Sequence, residues 1–157
     1  MRILKTATCS SLSGKSKLSY QIGTTDDGQV NVRVTDNSSS GCFNDEWVSL
    51  RRIVGSFDRN SPGNTPVTSG AIIGLFEGKS QNTPGFVFAA LKAEGFVQAS
   101  AHKKGRYDRL DAAAHAKQVK SLLAGERTPT TAPKAKALKA GSPAEPKKPS
   151  KTTKKKA

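Results

Sequence analysis

Leu18, Tyr20 and Ile22 alternate with polar neighbours, and Val30, Val32 and Val34 repeat the same period of two. That spacing puts each apolar set on one face of a strand, and Thr24-Thr25-Asp26-Asp27-Gly28 between them supplies a turn, so the pattern predicts a β-hairpin. A two-stranded hairpin is marginal alone and needs a surface to pack on. The polar run DNSSSG, Asp36 to Gly41, ends it.

The period then changes. In FNDEWVSLRRIVGSF, Leu50, Ile53, Val54 and Phe57 fall on one side of a helix that Ser49 is placed to cap, with Trp47 anchoring the entry. After the loop SPGNTP, Thr68 or Ser69 opens a short helix through Ala71, Ile72, Leu75 and Phe76 to a stop at Gly78. A third helix is expected from Pro84 to Glu94. Thr83 stands at the cap position, Pro84 suits the first helical position because its missing donor is not needed there, and Gly95 stops the run. FVQAS and RYDRL follow as two short strands joined by AHKKG. In DAAAHAKQVKSLLAG, Asp111 caps a last helix whose stripe is Ala112, His115, Val119 and Leu122, and Gly125 ends it. Such a stripe either packs back on the core or pairs with a second copy as a homodimer.

Charge changes the picture. The 157 residues carry +14, and Thr128 to Ala157, with nine Lys and one Glu, accounts for +8 of it. This stretch has five prolines and one Leu, too little apolar surface to offset the entropy of ordering it. It reads as a disordered polycationic tail of the kind that neutralises phosphates. Its composition resembles the Lys/Ala/Pro-rich tails of linker histones and of some bacterial histone-like proteins.

Residues 49 to 110 resemble a winged helix-turn-helix module in element order. SLRRIVGSF takes the place of its first helix, SGAIIGLFEG the second, PGFVFAALKAE the recognition helix and FVQASAHKKGRYDRL the wing. The resemblance implies DNA binding. The third helix is nevertheless apolar nearly all round, with Lys92 its one cation, and that pattern belongs to a buried helix more than to a groove reader. The groups left to meet nucleic acid are Lys79, Gln81, Asn82 and Thr83 at its start, where unpaired N–H groups favour an anion, together with Lys92. In the wing they are Lys103, Lys104, Arg106 and Arg109, and in the tail Lys147, Lys148, Lys154, Lys155 and Lys156.

Other chemistries find little footing. CSSLSGKS ends like a phosphate-binding loop, but Cys9 stands where the first glycine belongs and a strand follows. EGKS, Glu77 to Ser80, has Ile73 at the glycine position. Cys9, Cys42, His102 and His115 lack the close spacing of zinc ligands. The acid pairs Asp26-Asp27 and Asp45-Glu46 fall at a turn and a helix entry, where carboxylates serve structure. No catalytic residues, metal or cofactor are expected, so the chain reads as a non-enzyme. A deep pocket enclosing His102 or His115 beside a carboxylate is the feature that reopens catalysis. The start MRILKTATCSS has no apolar signal region and no run reaches membrane length, which points to a cytoplasmic protein with reduced thiols, nucleoid-associated if bacterial.

The expectation is an α+β protein in three parts. Residues 1–45 form an N-terminal β-hairpin segment, 46–126 a winged-helix-like three-helix core with its wing and C-terminal helix, and 127–157 the disordered tail. Its function is DNA binding through the phosphate backbone, in the manner of a nucleoid-associated protein or transcription regulator. DNA is favoured over RNA because the nine aromatic residues fall mostly at core positions, leaving no stacking platform. The competing reading is a protein–protein interaction module with incidental basic charge.

Overall fold

The computed structural model describes residues 1–63 and 65–125. It is an α+β fold in which a four-stranded antiparallel sheet carries helices on one face. The strands β1 (Arg2–Ser10), β2 (Lys17–Thr24), β3 (Val30–Asn37) and β4 (Val48–Ser49) are neighbours in chain order. The expected hairpin is β2–β3, with Tyr20 opposite Val34, Ile22 opposite Val32 and Thr24 opposite Val30. Their inward side chains are buried because the period of two gives one face entirely to apolar residues.

Strand β1 adds a partner that the hydrophobic pattern did not announce. Its inward positions are Lys5, Ala7 and Cys9, one charged and two small, and its outward ones Thr6, Thr8 and Ser10. The CSSLSGKS stretch lies at the β1–β2 connection, closed by Ser11 N–H donating to Ser16 O at 2.8 Å, and is a hairpin loop.

Helix α1 (Leu50–Asn60) buries Leu50, Ile53, Ser56 and Phe57. The second helical segment, Ser69–Phe76, is a 3₁₀ helix, entered by Ala71 N–H donating to Thr68 O at 3.0 Å. Its glycines at 70 and 74 and its paired isoleucines weaken the α alternative.

Helix α2 (Thr83–Ala93) lies across β1, β2 and β3 and against the 3₁₀ helix. Seven of its eleven residues are buried, among them Val87, Phe88, Ala89, Ala90 and Leu91. Burial on nearly every side is what an all-round apolar helix requires. Phe88 meets Phe57 and Tyr107 edge-on, with ring centroids 6.0 and 5.1 Å away.

The basic hairpin is present as β5 (Val97–Ala99) and β6 (Tyr107–Arg109), a separate two-stranded sheet to which Val67 adds a bridge at Tyr107. Helix α3 (Ala112–Ala124) is capped by Asp111, which accepts from Ala114 N–H at 2.8 Å, and it ends at Gly125 in the left-handed conformation, φ 73°. Leu122 returns it to the same core, and Gln118 Nε2 donates to Glu94 O at 2.7 Å.

One apolar cluster runs from Tyr20 and Ile22 through Ile53, Phe57 and Phe88 to Leu122. Residues 1–45 and 46–125 therefore share a core, and the boundary expected between 45 and 46 does not divide it. Trp47, at the entry to α1, is half-buried on the opposite face of the sheet. There it stacks with the Arg33 guanidinium at 4.7 Å and lies so close to β2 that a Cβ on Gly23 would come 2.9 Å from the indole. Phe86 is likewise half-buried, edge-on to Phe43 at 6.4 Å.

Candidate nucleic-acid interface

The start of α2 is covered by the chain's own loop. Thr83 is 1% exposed, and its hydroxyl accepts from Asn44 N–H at 2.8 Å, not from the helix's first turn. Asn82 occupies the cap position with no side-chain cap bond, its Nδ2 donating to Cys42 O at 3.0 Å. Lys79 is ion-paired with Glu46. The stretch Cys42–Glu46 is thus pinned over the helix end, so Thr83 is withdrawn from the set able to touch a ligand and Lys79 is already neutralised. Of that group only Gln81 is exposed without a recorded partner among the described residues.

Arg109 is also corrected. Its guanidinium pairs with Asp58 at 2.7 Å and donates to the carbonyls of Ser61 and Gly63, and its side chain is only 14% exposed. It clamps the loop after α1 to β6, because a planar fork with five donors can serve one carboxylate and two carbonyls together.

The rest of the hairpin differs. Lys103 and Lys104 sit exposed at its tip outside every ion pair among the described residues, and the Arg106 guanidinium donates to Pro66 O, 3.5 Å away. Lys92, on the exposed side of α2, lies over the Tyr107 ring at 5.5 Å and so joins the same flank. Among the described residues the ion pairs are Lys5–Glu94, Lys79–Glu46 and Arg109–Asp58, which leaves these four cations uncompensated.

Sequence reasoning passed over a second basic group. Arg51, Arg52 and Arg59 line the outer side of α1, exposed and outside every ion pair among the described residues. The signal was the segregation of arginines from Leu50, Ile53 and Phe57 along LRRIVGSFDRN. Lys147, Lys148, Lys154, Lys155 and Lys156, and the disorder expected around them, lie outside the described residues.

His115 lines an open cleft between α1 and α3 of about 310 Å³, with Asp58 and Asp111 in its wall. Neither acid orients the imidazole: Asp58 serves Arg109, Asp111 caps α3, and His115 Nε2 has no hydrogen-bond partner. Burial pushes its pKa below the ordinary 6.5. His102 lies exposed near the hairpin tip. Among the described residues no group of three or more His, Cys, Asp or Glu could hold a metal, and no helix is long and apolar enough to cross a membrane.

No family model, curated protein or solved structure matches this chain.

Proposed function

We propose that this protein binds DNA through the phosphate backbone, using the β5–β6 hairpin tip and the Lys-rich residues that follow α3. The observation that carries the reading is the hairpin flank, where Lys92, Lys103, Lys104 and Arg106 are exposed with no acid to neutralise them. Positive charge without internal partners exchanges readily for counterions on a phosphate array.

The chain order of α1, the 3₁₀ helix, α2 and the hairpin supports a winged-helix-like reading of residues 49–110. In this reading the wing contacts the duplex and α2 serves as the core on which the wing is built, because its burial leaves few groups for base edges. Discrimination among sequences is therefore small, below the roughly 10³ to 10⁷ gap of specific binders. DNA is favoured over RNA because none of the nine aromatic side chains is fully exposed as a stacking platform. The setting that follows is cytoplasmic, at the nucleoid if the cell is bacterial.

Titrating the full chain against two unrelated duplexes at several salt concentrations tests this. Similar affinities for both, falling linearly on a log–log plot with salt, are expected. Affinity that hardly responds to salt, or no binding at all, would move the assignment to a protein-interaction module.

A further inference from the structure

Arg51, Arg52 and Arg59 are exposed on α1 and stand outside every ion pair among the described residues. A helix turns by about 100° per residue, so these three and Gly55 fall within about 100° of arc, on the side away from the buried Leu50, Ile53 and Phe57. The Arg59 guanidinium folds back along that arc: a Cβ built on Gly55 would lie 3.7 Å from its Nη1. Helical side chains lean toward the amino terminus, so this charge sits about a turn nearer to Arg51 and Arg52 than its own place in the chain suggests. Like charges are thereby drawn together around a bare stretch of main chain.

Helix stability does not account for this arrangement. The first turn of α1 holds Arg51 and Arg52 and no acid, where the helix dipole favours the reverse. Asp58, the one carboxylate of the helix, is taken by Arg109 at 2.7 Å. A local rule broken in this way, with the charge left unpaired, marks a functional surface that an external anion completes.

The stripe is fixed relative to the hairpin. Asp58 follows Arg51 by about two turns and so lies on the flank of the same face. Through Asp58, Arg109 ties α1 to β6, and the Ser61 and Gly63 carbonyls share its guanidinium. Farther along, Arg106 reaches Pro66 O and Val67 bridges to Tyr107, so the chain leaving α1 is laced along β6 toward the tip. Arg51 lies about 11 Å up the helix from Asp58, and Lys104 no more than about 17 Å along the strand from Arg109. The two basic groups are thus separated by a distance of the order of one duplex turn, about 34 Å.

We propose that the α1 arginine stripe is a second phosphate-binding surface, engaging the same duplex as the hairpin tip. The inference rests on the DNA-binding reading above and extends it to a face that reading does not use. The occupant is a phosphate backbone because guanidinium forks pair with phosphate in two-point contacts, and α1 exposes no large apolar side chain on which a protein partner could dock.

The test is a salt titration of the full chain on a mixed-sequence duplex of about 20 base pairs, two helical turns. Changing Arg51, Arg52 and Arg59 together to Gln should lower the salt slope by up to about 3, and adding the changes of Lys103, Lys104 and Arg106 to Ala by up to about 6, because both groups hold one duplex at once. Changing Arg2, Lys15 and Lys17 to Gln removes the same charge from the β1–β2 hairpin, away from α1, and should leave the slope nearly unchanged. Gly55→Glu separates binding from folding. It replaces a helix-weakening residue with a helix former four residues from both Arg51 and Arg59, so the melting temperature should rise while DNA binding weakens. A stripe variant with the native slope overturns the proposal, whether the stripe is merely solvated or holds a separate duplex. So does a β1–β2 variant that lowers the slope as far, and so does a Gly55→Glu protein that binds as its parent does. If the native chain binds no duplex, the DNA reading itself falls and this inference with it.

Discussion

The Tyr20 hydroxyl donates to Glu94 Oε1 across 2.5 Å, joining the middle of β2 to the last turn of α2. Lys5 of β1 reaches the same carboxylate at 2.8 Å, so a side chain only 1% exposed keeps two partners. A carboxylate at a helix carboxyl terminus opposes the helix dipole, and desolvation adds to that cost. The phenol and the ammonium offset both, which fixes where α2 sits along the sheet. Burial, then the hydrogen bond to Glu94, raises the Tyr20 pKa far above the ordinary phenol range, so the donor is never lost at physiological pH.

Tyr20→Phe therefore removes a hydrogen bond to a buried charge while keeping the ring. A loss of about 1.5–3 kcal/mol in urea denaturation is expected. In the Glu94→Gln background the same change should cost clearly less, since the two residues act as one unit.

Cys9 faces inward on β1, and burial, helped by the Glu94 charge, pushes its thiol from 9.0 to about 11. Its thiolate fraction near neutral pH is then roughly a hundredfold below that of an ordinary thiol, and Cys42 is exposed. Iodoacetamide followed by peptide mass mapping should find Cys42 alkylated long before Cys9. Equal rates would show that β1 does not cover that face.

His115 gives the fold a mild acid sensitivity. Because its folded pKa lies below 6.5, the unfolded chain binds the extra proton first as pH falls. The contribution of this residue to stability is complete above about pH 6.5 and declines below it, toward the folded pKa. Comparing melting temperatures at pH 7.5 and 5.5 for the native chain and His115→Asn checks the sign: the native chain should lose more.

The hairpin tip and the clamp behind it separate by experiment. Changing Lys103, Lys104 and Arg106 together to Ala should lower the salt slope of DNA binding by up to about 3, near one per phosphate contact, on any duplex. Arg109→Ala should chiefly destabilise the fold, since its guanidinium holds Asp58 and two carbonyls. If the triple variant binds DNA at native strength with a native slope, the wing has no part in binding.

What the chain revealed in advance depended on large apolar residues at regular spacing. The β2–β3 hairpin, the buried run of α2 and the Asp111 and Gly125 ends of α3 were legible because each rests on neighbours a few residues apart. Strand β1 was hidden because Lys5, Ala7 and Cys9 occupy the positions where a strand usually shows Val or Ile. The site residues misread were those with distant partners. Thr83 has the look of a cap, yet its bond is to Asn44, 39 residues away, and Arg109 looks free until Asp58, 51 residues away, is placed beside it. A cation's availability is a tertiary property.

The sheet ends on β1, a nine-residue strand with one edge unpaired among the described residues. A long open edge is a template on which identical chains can stack into fibrils. Here the register slips between Ile3 and Lys5, breaking the even ladder that an incoming strand would need, and an inward-pointing lysine sits at the break. The same Lys5 that steadies Glu94 thus helps keep this edge from pairing with a second copy of the chain.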